Sequence, residues 1–195
     1  MISCILLSAG SSERFGSPKA LAALNGKTVV EHLQEVILAS RVSELIVVLG
    51  AHQDLIKPYL FNHRKVTFVY NKDHKLGQTS SFKAGLRVAS DKSQGIMLLP
   101  VDFLFVQTET IDRLIEEFTS DRPLILIPVY RQKKGHPPLF NSVLRDPLLK
   151  RDDGQGLNLF ERDYETGIRY LDVQDKGVIQ TFNTPEEFEK LKANL

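Results

Sequence analysis

The sequence predicts a three-layer, doubly wound α/β fold with a Rossmann-like, mostly parallel sheet. Short, almost unbroken apolar runs of about five residues are typical of strands buried on both faces, as in a parallel sheet covered by helices. Segments with a single apolar stripe at helical spacing lie between these runs, which is the alternation of an α/β fold. Because the chain has 195 residues, of which 42% are hydrophobic, we expect one core and a single domain over residues 1–195.

The predicted strands and helices follow one another in chain order. Strands are expected at residues 2–7, 45–49, 66–70, 96–99 and 124–129, with a late strand at 168–173. Between the first two strands, apolar residues at helical spacing predict a helix over residues 29–37. The same pattern predicts a helix over residues 111–118, between the fourth and fifth strands. Strand and helix therefore alternate through the first two thirds of the chain.

The last third of the sequence is less regular. Residues 135–138 and 152–156 contain the Gly, Pro and Asp that mark loops. Near the end, Thr184 is followed by Pro185 and then by Glu187, which is typical of a capping box with proline at the first helical position. These residues predict a short C-terminal helix.

Composition narrows the classes of partner and compartment. The formal net charge of +1 gives no electrostatic reason to expect nucleic acid or an anionic membrane as the main partner. Cys4 is the single cysteine of the sequence, so an internal disulfide and a cysteine-cluster metal site are excluded and a reducing compartment is favoured. The apolar run at residues 2–7 lacks the basic flank of a signal peptide, and no run is long enough to span a membrane. We therefore expect a cytoplasmic protein.

The loop after the first predicted strand carries groups suited to phosphate. In an open α/β sheet, ligands bind beyond the carboxyl ends of the strands, and residues 8–16 begin at that edge. Gly10 and Gly16 let backbone amides approach an anion, while Arg14 and Lys19 add positive charge. Because the segment contains neither GxxxxGK[ST] nor GxGxxG, it indicates a polyphosphate loop of another type.

The stretch LSAGSSERFGSPK, residues 7–19, resembles the LAAGxSxRMGxPK signature of the MobA-like nucleotidyltransferases, a family that includes the molybdenum cofactor cytidylyltransferases. Serine replaces the first alanine of the signature, and Phe15 replaces its methionine. The resemblance implies a sheet of the nucleotide-diphospho-sugar transferase type. The residues of this stretch that would bind the nucleotide are Leu7, Ser8, Ala9, Gly10, Arg14 and Lys19.

Three further segments resemble the same family. Asn71 precedes a stretch with Gly77 and Ser81, at positions where family members contact the base and ribose. Asp102 ends LLPVD at the position of the family's Mg²⁺-binding aspartate. Near the C-terminus many relatives carry D-x-D-T-P-E-D, and here Asn183 stands in place of the aspartate, with an amide oxygen that can bind Mg²⁺ without bringing charge. The resemblance thus implies Asp102 and Asn183 as Mg²⁺ ligands.

The acceptor side carries one matching and one altered motif. The GHPP of residues 135–138 matches a G-H-P element of cytidylyltransferase-like members, which implies that His136 lies on the acceptor side. The family's G-D-x-G-A-R loop is replaced by DDGQGLN at residues 152–158, with the acid one place early and the arginine missing. The altered loop leaves the identity of the acceptor open.

The resemblance implies a Mg²⁺-dependent nucleotidyltransferase with Arg14, Lys19 and Asp102 as catalytic residues. CTP is the expected nucleotide, because Ala9 and the G-H-P element fit the cytidylyl branch. The expected acceptor is a phosphorylated small molecule, molybdopterin or the molybdenum cofactor, with a molybdoenzyme as a further partner. Guanylyl or sugar-phosphate transfer on the same fold, or a carrier that binds nucleotide or cofactor without turnover, are the alternatives. A Rossmann oxidoreductase is disfavoured by the missing glycine fingerprint.

Overall fold

The computed structural model describes residues 1–193 as a mostly parallel sheet with helices on both faces. The strands are β1 (Ile2–Ser8), β2 (Ala23–Leu24), β3 (Lys27–Thr28), β4 (Glu44–Leu49), β5 (Val66–Tyr70), β6 (Gly95–Pro100), β7 (Ile125–Tyr130), β8 (Lys133–Lys134), β9 (Leu139–Asn141) and β10 (Ile168–Asp172). The helices are α1 (Val29–Ala39), α2 (Gln53–Ile56), α3 (Gln78–Val88), α4 (Thr108–Asp121), α5 (Arg145–Lys150), α6 (Leu157–Asp163) and α7 (Pro185–Lys192). The last two residues of the predicted domain, 194 and 195, lie outside the described part.

The strand order of the main sheet is β10-β7-β9-β6-β1-β4-β5, with β8 paired to β7. β1 lies at the centre, parallel to β4 on one side and to β6 on the other. Only the short β8 and β9 run antiparallel to their neighbours in this sheet. The predicted three-layer, mostly parallel α/β class is confirmed, and each predicted strand is present with ends shifted by at most one residue.

Two apolar layers cover the faces of the sheet because successive side chains of each strand point to opposite sides. In β1, Cys4 and Leu6 belong to the layer beneath α1 and α4, whereas Ile5 and Leu7 belong to the layer beneath α3. Gly85 brings α3 close to the sheet, since a Cβ there would lie 2.6 Å from Ile5 Cγ2. The central strands are therefore buried on both faces, as the apolar runs predicted.

The prediction of two buried faces is wrong for β5. Phe68 and Tyr70 are 45% and 48% exposed, and only Val66 and Val69 pack against the two apolar layers. The reason is the strand order, because β5 is an outer strand with a neighbouring strand on one side only. An apolar run alone does not distinguish an edge strand from a central one.

The ends of two helices are fixed by capping boxes. At the start of α7, the Thr184 hydroxyl accepts from the Glu187 amide while the Glu187 carboxylate accepts from the Thr184 amide, as the sequence predicted. Thr28 and Glu31 form the same arrangement at α1. Within residues 1–193, no helix combines the length and the apolar character needed to cross a membrane.

Candidate functional site

A cavity of about 800 Å³ opens beyond the carboxyl ends of β1 and β6. Its walls include the loop after β1, the start of α3 with the turn before it, the loop after β6, the segment around His136 and the segment before α7. The residues predicted for the site that line this cavity are Leu7, Ser8, Ala9, Gly10, Arg14, Lys19, Gly77, Ser81, Asp102, His136 and Asn183. The structure therefore brings together every predicted site residue except Asn71.

The loop after β1 turns sharply through two left-handed positions. Ser12 has φ 55° and Gly16 has φ 76°, on either side of a single 3₁₀ turn. The Ser12 hydroxyl accepts a hydrogen bond from the Lys19 amide at 3.2 Å, which closes the loop on itself. The loop also needs Gly50 at the end of β4, because a Cβ there would lie 2.3 Å from the Ala9 carbonyl oxygen. Sequence analysis missed Ser12 and Gly50, since neither contact follows from the local pattern.

At one side of the cavity Lys19 contacts two polar side chains, and Arg14 contacts one of the same two. Lys19 Nζ lies 3.3 Å from Asp102 Oδ2 and donates to Asn183 Oδ1 at 3.0 Å. Arg14 Nη2 donates to the same Asn183 oxygen at 3.0 Å. The side chains of Lys19 and Asp102 are only 13% and 22% exposed, so water screens this ion pair less than it would a surface pair. The result is a cluster of two cationic side chains, Arg14 and Lys19, and two side-chain oxygens that could bind a metal, those of Asp102 and Asn183.

The donors of this cluster fit a divalent cation. Asp102 Oδ2 and Asn183 Oδ1 both lie within 3.3 Å of one ammonium nitrogen, so both oxygens are directed at the same small region. Among residues 1–193 no group of three or more His, Cys, Asp and Glu side chains could hold a metal ion. A carboxylate and an amide oxygen, completed by phosphate oxygens and water, are an ordinary Mg²⁺ environment. Asp102 and Asn183 as metal ligands stay a prediction.

Asn71 lies behind the wall formed by the start of α3. Its side-chain amide donates to the hydroxyls of Ser80 and Ser81, each at 3.0 Å, and its oxygen accepts from the Asp73 amide. Asn71 is 5% exposed and does not line the cavity. It holds Ser81 in place at the cavity wall, and direct contact between Asn71 and a nucleotide stays a prediction.

His136 and Phe103 form an aromatic pair on the acceptor side predicted from the sequence. Their ring centroids are 4.2 Å apart, and both residues line the cavity. Burial lowers the pKa of His136, against the opposing effects of the Asp102 charge and a hydrogen bond with the Leu98 backbone. The imidazole is therefore neutral at neutral pH. Phe103 was missed because an aromatic residue after a strand carries no recognisable signal.

The altered loop at residues 152–158 is attached to α3. The Lys83 ammonium lies 2.7 Å from Asp153 Oδ1 and donates to the Arg151 carbonyl at 2.7 Å. One turn earlier, the Thr79 hydroxyl donates to the Gln155 carbonyl at 2.6 Å. Lys83 is buried, so its charge has to be paired. The early acid of this loop thus serves as the partner of Lys83, and the loop does not line the cavity.

Comparison with known proteins identifies one family. The model of the MobA-like NTP transferase domain matches residues 4–167, which include the loop after β1, the start of α3 and Asp102. The segment that carries Asn183 lies beyond the matched range. The site is therefore built from the matched part of the chain together with a segment outside it.

Individual relatives are distant. Nicotine blue oxidoreductase from Paenarthrobacter nicotinovorans is 28% identical over 200 residues, covering 96% of this chain and 94% of that protein. Bifunctional protein GlmU from Nitrosomonas europaea is 26% identical over 152 residues, covering 77% of this chain, and the match spans only 32% of GlmU.

The fold is shared with solved structures. The crystal structure of Rv0371c from Mycobacterium tuberculosis has a TM-score of 0.85 at 21% identity, covering 98% of this chain and 97% of that one. A manganese complex of Rv0371c has a TM-score of 0.78 at 20% identity, covering 100% of this chain and 99% of that one. At this level of identity, the likeness concerns the fold.

Proposed function

Because the chain belongs to the family of MobA-like NTP transferase domains and is an enzyme of the nucleotidyltransferase class, we propose that it transfers CMP from CTP to a phosphorylated small-molecule acceptor and releases pyrophosphate. The proposal treats residues 1–195 as one nucleotidyltransferase domain. The cytoplasmic location predicted from the sequence stays a prediction.

The observation that carries this proposal is the convergence of Arg14, Lys19, Asp102 and Asn183 beside one cavity at the carboxyl edge of the sheet. A nucleoside triphosphate brings several negative charges that must be neutralised and oriented. The planar guanidinium of Arg14 suits two phosphate oxygens, and the ammonium of Lys19 acts as a movable point charge. The cavity of about 800 Å³ has the size of pockets that hold nucleotide-sized ligands.

The proposed reaction is a displacement at the α-phosphorus of the nucleotide. A phosphate oxygen of the acceptor attacks in line, the new oxygen–phosphorus bond forms, and the bond to the β-phosphate oxygen breaks with its electron pair leaving on pyrophosphate. The attacking phosphate is already ionised at neutral pH, so no general base is required. Catalysis then depends on orientation and on charge neutralisation, and Arg14 with Lys19 stabilises the leaving pyrophosphate.

Asp102 and Asn183 would hold the divalent cation, which we propose to be Mg²⁺. When bound, Mg²⁺ would neutralise phosphate charge at the reacting centre. The oxygen donors of this pair support the assignment, and Rv0371c has been crystallised with manganese, a cation of the same charge. Because Asn183 is uncharged, the protein alone offers a weak site, and phosphate oxygens would complete it.

The proposal also assigns parts of the cavity to the nucleotide base and to the acceptor. Leu7 to Gly10 and the start of α3 at Gly77 also line the cavity, and we assign them to the base and ribose. The neutral His136 and Phe103 would bind the acceptor, for which molybdopterin or the molybdenum cofactor is our first choice. A molybdoenzyme would then receive the product.

Redox activity is the second candidate, because one relative that matches nearly the whole chain is named an oxidoreductase. The GxGxxG fingerprint with which Rossmann folds bind a dinucleotide is missing after β1, which disfavours a nicotinamide or flavin dinucleotide at that position. A carrier without turnover is disfavoured by the complete cluster of Arg14, Lys19 and Asp102.

A thermal-shift panel of CTP, GTP, ATP, UTP, NADH and NADPH, each with and without Mg²⁺, tests these candidates. A ligand that binds only the folded state stabilises it by about 2.7 kcal/mol at a hundredfold excess over Kd. A Mg²⁺-dependent shift with CTP, followed by pyrophosphate release when acceptor is added, is the expected result. A GTP shift alone would move the enzyme to guanylyl transfer, and a shift with NADH or NADPH alone would contradict nucleotidyl transfer. CTP binding without pyrophosphate release across a panel of phosphorylated acceptors would indicate a carrier.

A further inference from the structure

Three phenylalanine rings join the loop after β1 to the segment before α7. The ring centroid of Phe15 lies 5.5 Å from that of Phe182 and 5.9 Å from that of Phe188, in edge-to-face arrangements. Phe182 and Phe188 are 4.8 Å apart. All three side chains are buried. We call these three residues the aromatic cluster.

Each side of the cluster is adjacent in sequence to a side chain of the candidate site. Phe15 follows Arg14, and Phe182 precedes Asn183. Arg14 Nη2 donates to Asn183 Oδ1 across this junction. The packing of the rings therefore sets the position of the loop after β1 relative to the segment before α7. Arg14 and Asn183 meet because these two segments are held together.

The face of Phe182 also supports the central cation. Lys19 Nζ lies 5.5 Å from the centroid of this ring, within the range of a cation–π contact, while it donates to Asn183 Oδ1. An aliphatic side chain of similar volume would fill the space but would lack the negative face of the ring. The contact with Lys19 therefore requires an aromatic residue at position 182, whereas any apolar side chain of similar volume could fill the buried space.

The segment itself is held rigidly at its other end. The Asn183 amide donates to the Glu187 carboxylate at 2.6 Å, in addition to the capping box at Thr184. Hydrogen bonds thus join Asn183 to the start of α7, and the rings join the same segment to the loop that carries Arg14.

We propose that the aromatic cluster, and Phe182 in particular, positions Asn183 and Lys19 for the metal–nucleotide complex, so that a segment outside the matched family domain sets the affinity of the site. This role rests on the proposed function, because it assigns the same cavity to a nucleotide with a divalent cation. Phe182 touches no reacting atom in this assignment and is a positioning residue.

The test compares two equivalent substitutions on opposite faces of the sheet. Phe182→Leu removes the ring beneath Lys19. Phe140→Leu is the matched control, because Phe140 is also fully buried and also contacts another ring, that of Phe82 at 5.4 Å, but in the other apolar layer. We would measure the thermal midpoint and, by electron paramagnetic resonance, the binding of Mn²⁺ alone and of Mn²⁺ with CTP.

Both variants should lower the thermal midpoint, and only Phe182→Leu should weaken binding of Mn²⁺ with CTP, by about tenfold, which corresponds to about 1.4 kcal/mol. Phe15→Met keeps the side-chain volume and a sulfur–aromatic contact, so it should bind Mn²⁺ with CTP nearly as tightly as the unsubstituted chain does. Phe15→Ala should bind Mn²⁺ with CTP more weakly. Equal affinity of Phe182→Leu and Phe140→Leu for Mn²⁺ with CTP would overturn the positioning role and leave the proposed function in place. If the unsubstituted chain bound neither Mn²⁺ nor Mn²⁺ with CTP, both this role and the proposed function would be overturned.

Discussion

Lys19 forms an ion pair with Asp102, with Nζ 3.3 Å from Oδ2, although 83 residues separate them in the chain. The pair exists because β1 and β6 are neighbours in the sheet, so the loops that follow them meet at one edge. Since Lys19 also donates to Asn183, one ammonium holds both oxygens assigned to the divalent cation. A cation that binds these oxygens has to displace the ammonium, and the phosphates of a nucleotide offer the ammonium an alternative partner.

Lys19→Met is therefore expected to have opposite effects on two ligands. Loss of the neighbouring positive charge should strengthen binding of Mn²⁺ alone by about tenfold, because the Asp102 carboxylate is no longer neutralised. The same change should weaken binding of CTP with Mg²⁺ and lower turnover, because a phosphate contact is lost. Electron paramagnetic resonance of Mn²⁺ and steady-state kinetics measure the two effects. Lys27→Met, at an exposed lysine paired with Glu35, should change neither. Weaker Mn²⁺ binding in Lys19→Met would contradict the idea that the Lys19 ammonium and the divalent cation compete for the same two oxygens.

Asp102→Asn tests the metal assignment without changing the shape of the side chain. We expect Mg²⁺-dependent pyrophosphate release to fall by about a hundredfold or more, since a charged ligand is lost where phosphate charge must be neutralised. Stability should fall as well, because the mostly buried Lys19 ammonium loses its charged partner, but the fold should be retained. Circular dichroism and a pyrophosphate assay measure both. Asp91→Asn, at an exposed carboxylate beside Arg145, serves as the control. An Asp102→Asn variant of normal activity would refute the role.

Most of the fold and much of the site were predictable because they depend on short patterns. The apolar runs predict the strands, and the rule that ligands bind beyond the carboxyl ends of parallel strands predicts a site at the loop after β1. The capping residues Thr184 and Glu187 predicted the first residue of α7, Pro185. In each case the deciding interaction lies within a few residues or follows from sheet geometry alone.

The missed features depend on contacts between distant segments. Strand order, which no local pattern contains, makes β5 an edge strand with an exposed Phe68. Phe103 acquires a role only because His136 packs on its ring. The loop at residues 152–158 was interpreted only as an altered motif, whereas its Asp153 pairs with the buried Lys83. Such pairings appear only after the chain has folded.

Two glycines of the site should respond differently to alanine. At Gly10 a Cβ would meet nothing within 4 Å, so Gly10→Ala should fold with a stability change within about 0.5 kcal/mol. The added methyl group would stand where phosphate is expected to approach the backbone, so CTP binding should weaken. At Gly50 a Cβ would lie 2.3 Å from the Ala9 carbonyl oxygen, so Gly50→Ala should lower the thermal midpoint as well as CTP affinity. Unchanged CTP binding in Gly10→Ala would argue against phosphate at this loop.

The lowered pKa of His136 predicts a pH dependence of stability. Burial disfavours the charged imidazole in the folded chain, so its pKa lies below the ordinary value of 6.5 that applies when the chain is unfolded. As the pH falls below about 6.5, the unfolded chain takes up a proton that the folded chain does not bind until its own lower pKa is reached. The free energy of unfolding should therefore decrease as the pH falls through this window, and His32, whose pKa burial also lowers, acts in the same direction.

Urea unfolding at a series of pH values between about 5 and 7.5 measures this dependence, for the unsubstituted chain and for His136→Gln. The glutamine variant should show a shallower slope, since it retains the contribution of His32 but loses that of His136. The slope is the informative quantity, because the substitution also removes the ring contact with Phe103 and can lower stability at every pH. An identical slope in His136→Gln would mean that this imidazole titrates equally in the folded and unfolded chains.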